Sequence, residues 1–142
     1  MRRNSTFAAA IATTAAIGAL VALPAGSGAS TVKPVLGSAK AYRPAGKGFG
    51  TVKPKTVFLG GDPTGLFTKL TWAGWGASKS TGTGSGYYPP PGKPTADAVK
   101  VPVTLVASSL GQCNGRLAYR KLAVSFKYKG HEHAGSKLDI CS

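Results

Sequence analysis

Acid is scarce in this chain, with four Asp and Glu side chains among 142 residues against 18 Lys and Arg. Glycoside cleavage by paired carboxylates would have to draw on Asp62, Asp97, Glu132 and Asp139. Asp62 stands directly before Pro63 and Asp97 between small residues, so both read as turn positions. Histidine is scarcer still: His131 and His133 crowd one segment. A Ser-His-Asp hydrolase needs a Gly-x-Ser-x-Gly elbow, and none occurs. His-Glu-x-x-His is missing too, which excludes the usual zinc-peptidase helix. The Gly-x-Gly-x-Gly at 82–86 has no helix or βαβ unit after it, so it is not a dinucleotide site. No helical apolar period appears after residue 30. The expectation is an all-β protein that is not an enzyme and carries no cofactor.

His131-Glu132-His133 is the one metal-like cluster. In an extended segment both imidazoles face one side and could share a Zn or Cu ion, with Asp139 as a third ligand. The trio follows Gly130, where a turn is expected, and reads instead as a solvated loop. No metal is assigned.

The N-terminus reads as an address. Met1-Arg2-Arg3 is positive, Phe7 to Leu23 is uncharged and apolar, and Pro24, Gly26 and Ser27-Gly28-Ala29 follow. That order is a secretory signal peptide over residues 1–29, cleaved after Ala29 with Ala25 as the alternative. The product is expected to be secreted, without a transmembrane anchor. Sixteen basic and four acidic side chains then remain, a net +12. In an oxidising compartment Cys113 and Cys141 are expected to pair, worth about 3–4 kcal/mol in the chain-entropy account.

Residues 30–50 mix Gly, Ala and Pro without a period and carry Lys33, Lys40, Arg43 and Lys47 with no acid. They read as a flexible basic tail ahead of a single β domain, residues 51–142. Thr56–Leu59 is a short β run stopped by Gly60-Gly61-Asp62-Pro63. The next run alternates, with Leu66, Thr68, Leu70 and Trp72 on one face. Val99, Val101, Val103 and Leu105 alternate clearly, as do Leu122, Val124, Phe126 and Tyr128. Leu117 and Tyr119 fall on the other parity, which asks for a bulge or bend at Arg120-Lys121. Lys137–Cys141 makes a last strand. About six strands with Gly/Pro-rich connections give a small antiparallel β-sandwich or open barrel.

Trp72 ends its strand on the apolar face and is expected in the core. Trp75 follows Gly74 and either caps that core or lies exposed as a stacking platform. Gly82, Gly84 and Gly86 leave one strand face bare, for a neighbouring ring or for close approach of a ligand. The stretch Trp72-x-x-Trp75-Gly76 followed by Gly82-x-Gly84 resembles a group of small exported actinobacterial proteins of uncharacterised function. The resemblance extends through Val101–Leu105 and the Tyr119–Phe126 strand. It implies secretion and a β-rich fold and brings no catalytic residues. Where such proteins often carry a Cys-containing loop, this chain has Tyr87-Tyr88-Pro89-Pro90-Pro91-Gly92-Lys93.

What remains is charge. Lys33, Lys40, Arg43 and Lys47 of the tail, with Arg116, Arg120, Lys121, Lys127 and Lys129 of the last strands, are the candidate polyanion-binding residues. Lys outnumbers Arg and no aromatic-basic interleaving occurs, so no specific nucleic-acid reading follows. Anionic cell-wall polymers or lipid head groups are the expected partners, and retention at the cell envelope is the expected role. The alternative is a secreted inhibitor or toxin-like protein that engages a protein through the Tyr87–Lys93 loop. Trp75, Tyr87 and Tyr88 are the candidate ligand platform.

Overall fold

The computed structural model describes residues 32–142; the expected signal peptide lies outside the described residues. Seven strands follow one another: β1 (Val35–Leu36), β2 (Val57–Phe58), β3 (Leu66–Ala73), β4 (Lys79–Tyr88), β5 (Val99–Cys113), β6 (Arg116–Tyr128) and β7 (His131–Asp139). They form one sheet ordered β1-β6-β5-β4-β3-β2, with β7 also paired to β6. Every pairing is antiparallel except that of β1 with β6. The sheet curls into a half-barrel, so of the two expected architectures the open barrel holds and the sandwich does not.

Two tight hairpins set the registers of the long strands. Asn114 and Gly115 join β5 to β6 with φ of 50° and 78°, and Lys129 and Gly130 join β6 to β7 with 49° and 76°. Positive φ at both central residues matches the twist of the flanking strands. The second hairpin places His131-Glu132-His133 inside β7, opposite Tyr128, Lys127 and Phe126. They are not the loop expected from the sequence, because the turn takes only two residues and pairing resumes at once.

The inner face holds the core. Val101, Val103 and Leu105 on β5 pack with Leu122, Val124 and Phe126 on β6 and with Leu70 and Trp72 on β3, all buried. Period-two alternation delivers these residues to one side. The bare face of β4 is filled by rings. A Cβ on Gly82 would stand 2.9 Å from the Trp72 ring, and one on Gly86 would stand 3.1 Å from Phe67 and 3.3 Å from Phe126.

Alternation fails where the backbone is irregular. In β3 the pairing shifts between Thr68 and Thr71, and Lys69 takes a φ of 54°. The extra residue flips parity upstream, so Phe67 is buried at 1% exposure while Leu66 is only half-buried. Unbroken alternation would have put Leu66 on the core side instead. At Arg120-Lys121 the expected bend is present, yet β5–β6 pairing keeps its register from Cys113↔Arg116 to Val103↔Phe126. A matching irregularity in β5, with Ser109 at φ 59°, lets both strands change parity together. At this bend β6 also changes neighbours: β1 pairs with Ala118 and Tyr119, and β7 pairs from Lys121 onward.

Residues 32–50 are not a tail outside the core. Val35, Leu36, Ala41 and Phe49 are all buried, Leu36 completely. Leu36 donates its N–H to Thr51 O (2.9 Å), Gly37 to Tyr119 O (2.9 Å) and Ser38 to Ile140 O (2.7 Å). One indole holds the same stretch, Trp75 Nε1 donating to Pro34 O at 2.9 Å, and a second holds the chain just beyond it, Trp72 Nε1 donating to Pro54 O at 2.8 Å. Pairing and an indole donor give this aperiodic segment the backbone partners that its own sequence pattern does not advertise.

Cys113 and Cys141 are bonded, with Cα atoms 5.4 Å apart. The bridge packs with Val35 and Ala118 in a small second cluster and ties the chain end to the β5–β6 hairpin.

Candidate functional site

The outer face of the half-barrel carries a different chemistry. Cross-strand register runs Thr71–Thr83–Thr104–Ser125 in one row from β3 to β6. The next row reads Ala73–Thr81–Val106–Ala123–Lys137, and the one after it Lys79–Ser108–Lys121–Asp139. Hydroxyls and small residues thus form a low surface, with lysines rising from it. Lys79, Lys100, Lys121, Lys127 and Lys137 are all exposed. Two carboxylates share the face: Glu132 opposite Lys127, and Asp139 opposite Lys121.

Arginine and lysine divide the basic residues by role. Arg43 Nε donates to Ala39 O at 3.0 Å, an Arg116 terminal nitrogen to Gly50 O at 3.1 Å and Arg120 Nε to Ser109 O at 3.3 Å. All three arginines in the described residues therefore brace backbone carbonyls. No lysine ammonium among the described residues donates to a protein acceptor; Lys129 instead lies 5.4 Å from the Tyr128 ring centre. The lysines are solvated charges on long stems, available to an external anion.

The candidates from sequence therefore separate. Lys33 and Arg116 line a groove at the β5–β6 hairpin with Gln112 and Leu117, and Lys40 and Arg116 line its neighbour with Ser38 and Asn114. Arg43 and Lys47 are exposed on the N-terminal segment. Lys121 and Lys127 lie on the outer sheet face, and Lys129 on the β6–β7 turn. Sequence reasoning missed Lys79 and Lys137 as partners of Lys121, and also Lys100, which lies on the same face at the other end of β5, opposite Tyr87. Each stands on the polar parity of its strand, which was readable. That they meet on one face is a matter of register.

The proposed aromatic platform is not one surface. Trp75 sits in the β3–β4 turn, packed edge-on against Trp72 (4.9 Å between ring centres) and Tyr119 (5.2 Å). Tyr119 Oη accepts from Gly76 N and donates to Ala77 O, locking this turn over the core. Of the two roles expected for Trp75, the structure gives it the cap. Tyr87 and Tyr88 lie at the far end of β4, roughly 30 Å away at the usual rise per residue. Tyr88 packs on Phe126, Tyr128 and His133 at 5.4, 5.4 and 5.1 Å. Tyr87 is half-buried and lines a groove with Asp62, Pro63 and Leu66. From Pro91 to Lys93 the loop is exposed.

His131 and His133 share a strand face, but no group of three His, Cys, Asp or Glu side chains comes together among the described residues. Asp139, the suggested third ligand, accepts the Cys141 N–H at 3.0 Å. Burial, and then the charge of Asp139, raise the pKa of the Tyr42 phenol. No helix among the described residues is long and apolar enough to cross a membrane. No family, curated protein or solved structure matches the chain.

Proposed function

We propose that this is an exported, noncatalytic cationic protein, retained at the cell envelope by electrostatic binding to anionic polymers. Secretion rests on the N-terminal pattern of residues 1–29 and on the resemblance to small exported actinobacterial proteins. The observation that carries the reading is the division of labour among basic side chains. Arg43, Arg116 and Arg120, though exposed, each brace a backbone carbonyl, while Lys79, Lys121, Lys127 and Lys137 stand exposed on a sheet face rich in small and hydroxylated residues. A charge of this sign attracts polyanions over a Debye length of about 8 Å at physiological salt and about 3 Å at 1 M. Such attraction suits retention at a charged surface better than selection of one small ligand.

The test is sedimentation of the purified protein, lacking residues 1–29, with isolated actinobacterial walls. Binding at low salt and release at high salt are expected, with retention lost once anionic polymers are stripped and kept when neutral glycan is trimmed. Binding that survives 1 M salt would move the activity to the Tyr87–Lys93 end of the molecule and to a protein partner.

A further inference from the structure

Lys79, Lys121 and Lys137 come from β4, β6 and β7, distant in sequence, yet register brings them around one spot on the outer face. Lys79 and Lys121 both oppose Ser108, which sets their strands two inter-strand steps apart, roughly 10 Å. Lys137 opposes Ala123 and is therefore diagonal to Lys121, at about 7–8 Å. The three frame a groove of about 430 Å³ whose floor includes Val106, Ser108 and Ala123. Small floor residues keep the trough open between the lysine stems. Asp139 is the one carboxylate lining it, and it already accepts the Cys141 N–H.

We propose that this groove is the polymer-binding site and that it seats consecutive phosphates of a phosphodiester polymer. The inference rests on the envelope-retention reading and gives it a location and a ligand chemistry. Ammonium groups act as point charges that bind phosphate without a fixed geometry, whereas the planar fork of arginine would fix the orientation of a single carboxylate or phosphate. The three arginines of the described residues each give one N–H to a backbone carbonyl, and none lines this groove. Stems spaced by roughly 7–10 Å match charges strung along a chain rather than one compact anion. Ser108 adds a hydroxyl donor between Lys79 and Lys121. A lipid surface fits less well, because insertion needs exposed apolar side chains beside the charge. The large exposed hydrophobic residues among the described residues are Val32, Val52 and Val99, none of which lines the groove, and its own Val106, Leu138 and Leu122 are half-buried or buried.

The experiment compares two charge-matched triple variants of the protein lacking residues 1–29. One carries Lys79→Gln, Lys121→Gln and Lys137→Gln; the other carries Lys33→Gln, Lys40→Gln and Lys47→Gln. Lipid-free poly(glycerol phosphate) is the probe, titrated over a salt series, with poly-glutamate and phosphatidylglycerol vesicles in parallel. The groove triple should bind poly(glycerol phosphate) at least about tenfold more weakly than the control triple. Its salt slope should fall by about 2, near 0.7 for each ammonium withdrawn from a phosphate. A Lys→Arg version of the groove triple should retain binding, and equal melting temperatures would show that the fold is intact in every variant. Equal weakening in both triples would overturn the groove while leaving envelope retention standing. Preference for poly-glutamate or for vesicles would overturn the phosphodiester assignment. If the unsubstituted protein binds none of the three probes at low salt, the retention reading itself falls.

Discussion

The two faces of β4, β5 and β6 share a backbone and almost nothing else. Inward, Gly82 and Gly86 accept the rings of Trp72, Phe67 and Phe126, and Val103, Leu105 and Leu122 close the space between them. Outward, Thr83, Thr104 and Ser125 stand in a low row between lysines. The inner face is constrained atom by atom, because a packed interior cannot absorb even one extra methyl group without movement. The outer face is constrained by sign of charge and little more. Stability should therefore respond to inward changes and polymer binding to outward ones.

The severest breach of the inner face is Trp72→Ala. It empties the cover over Gly82 and removes the indole donor from Pro54 O, and should cost about 3–5 kcal/mol in urea unfolding. Trp72→Phe keeps most of the ring and loses the donor, for about 1 kcal/mol.

Opening the bridge comes next. Replacing Cys113 and Cys141 with Ser releases a 28-residue separation and should lower stability by about 3–4 kcal/mol. The N-terminal segment should loosen first, since Val35 packs on the bridge; faster amide exchange at Leu36 and Gly37 than at Leu105 would show it.

Val103→Ala and Thr104→Ala are the sharpest pair, being neighbours on opposite faces. The first should cost about 1–3 kcal/mol through lost burial and a residual cavity. The second should change stability by less than about 0.5 kcal/mol. Equal costs would mean that the outer face is covered in solution.

The smallest effect belongs to Asp62, which lies on neither face. The Thr64 hydroxyl, and then the Thr64 N–H, hold its carboxyl below the usual carboxylate range. A lowered folded pKa means that the contribution is complete above the unfolded value and lost as pH falls through the folded one. The melting-temperature gap between the protein and Asp62→Ala should be small at neutral pH and close in strong acid. A gap that widened in acid would reverse the sign.

Much of the inner face was legible. Val101, Val103, Leu105, Leu122, Val124 and Phe126 follow from alternation alone, and the bend at Arg120-Lys121 from the break in parity between Tyr119 and Leu122. Leu66 was misplaced because a single bulge residue at Lys69 reverses a pattern that contains no mark of it. The candidate site was half legible: Lys121 and Lys127 stood out in a basic strand, whereas Lys79 and Lys137 looked like isolated surface charges.

The sequence by itself determined the strand periods, the charge and the cysteine pair, since these are properties of near neighbours along the chain or of composition. Only the tertiary structure decided that Val35, Leu36 and Phe49 are core. Their burial depends on an edge of β6 and on the Trp75 indole donor, both supplied by residues far along the chain. It also decided that Lys79, Lys121 and Lys137 surround one groove. Alternation tells which side of a strand a residue faces; the hydrogen-bond register between strands tells which residue it faces there, and register is fixed by turns and bulges that act on the sheet as a whole.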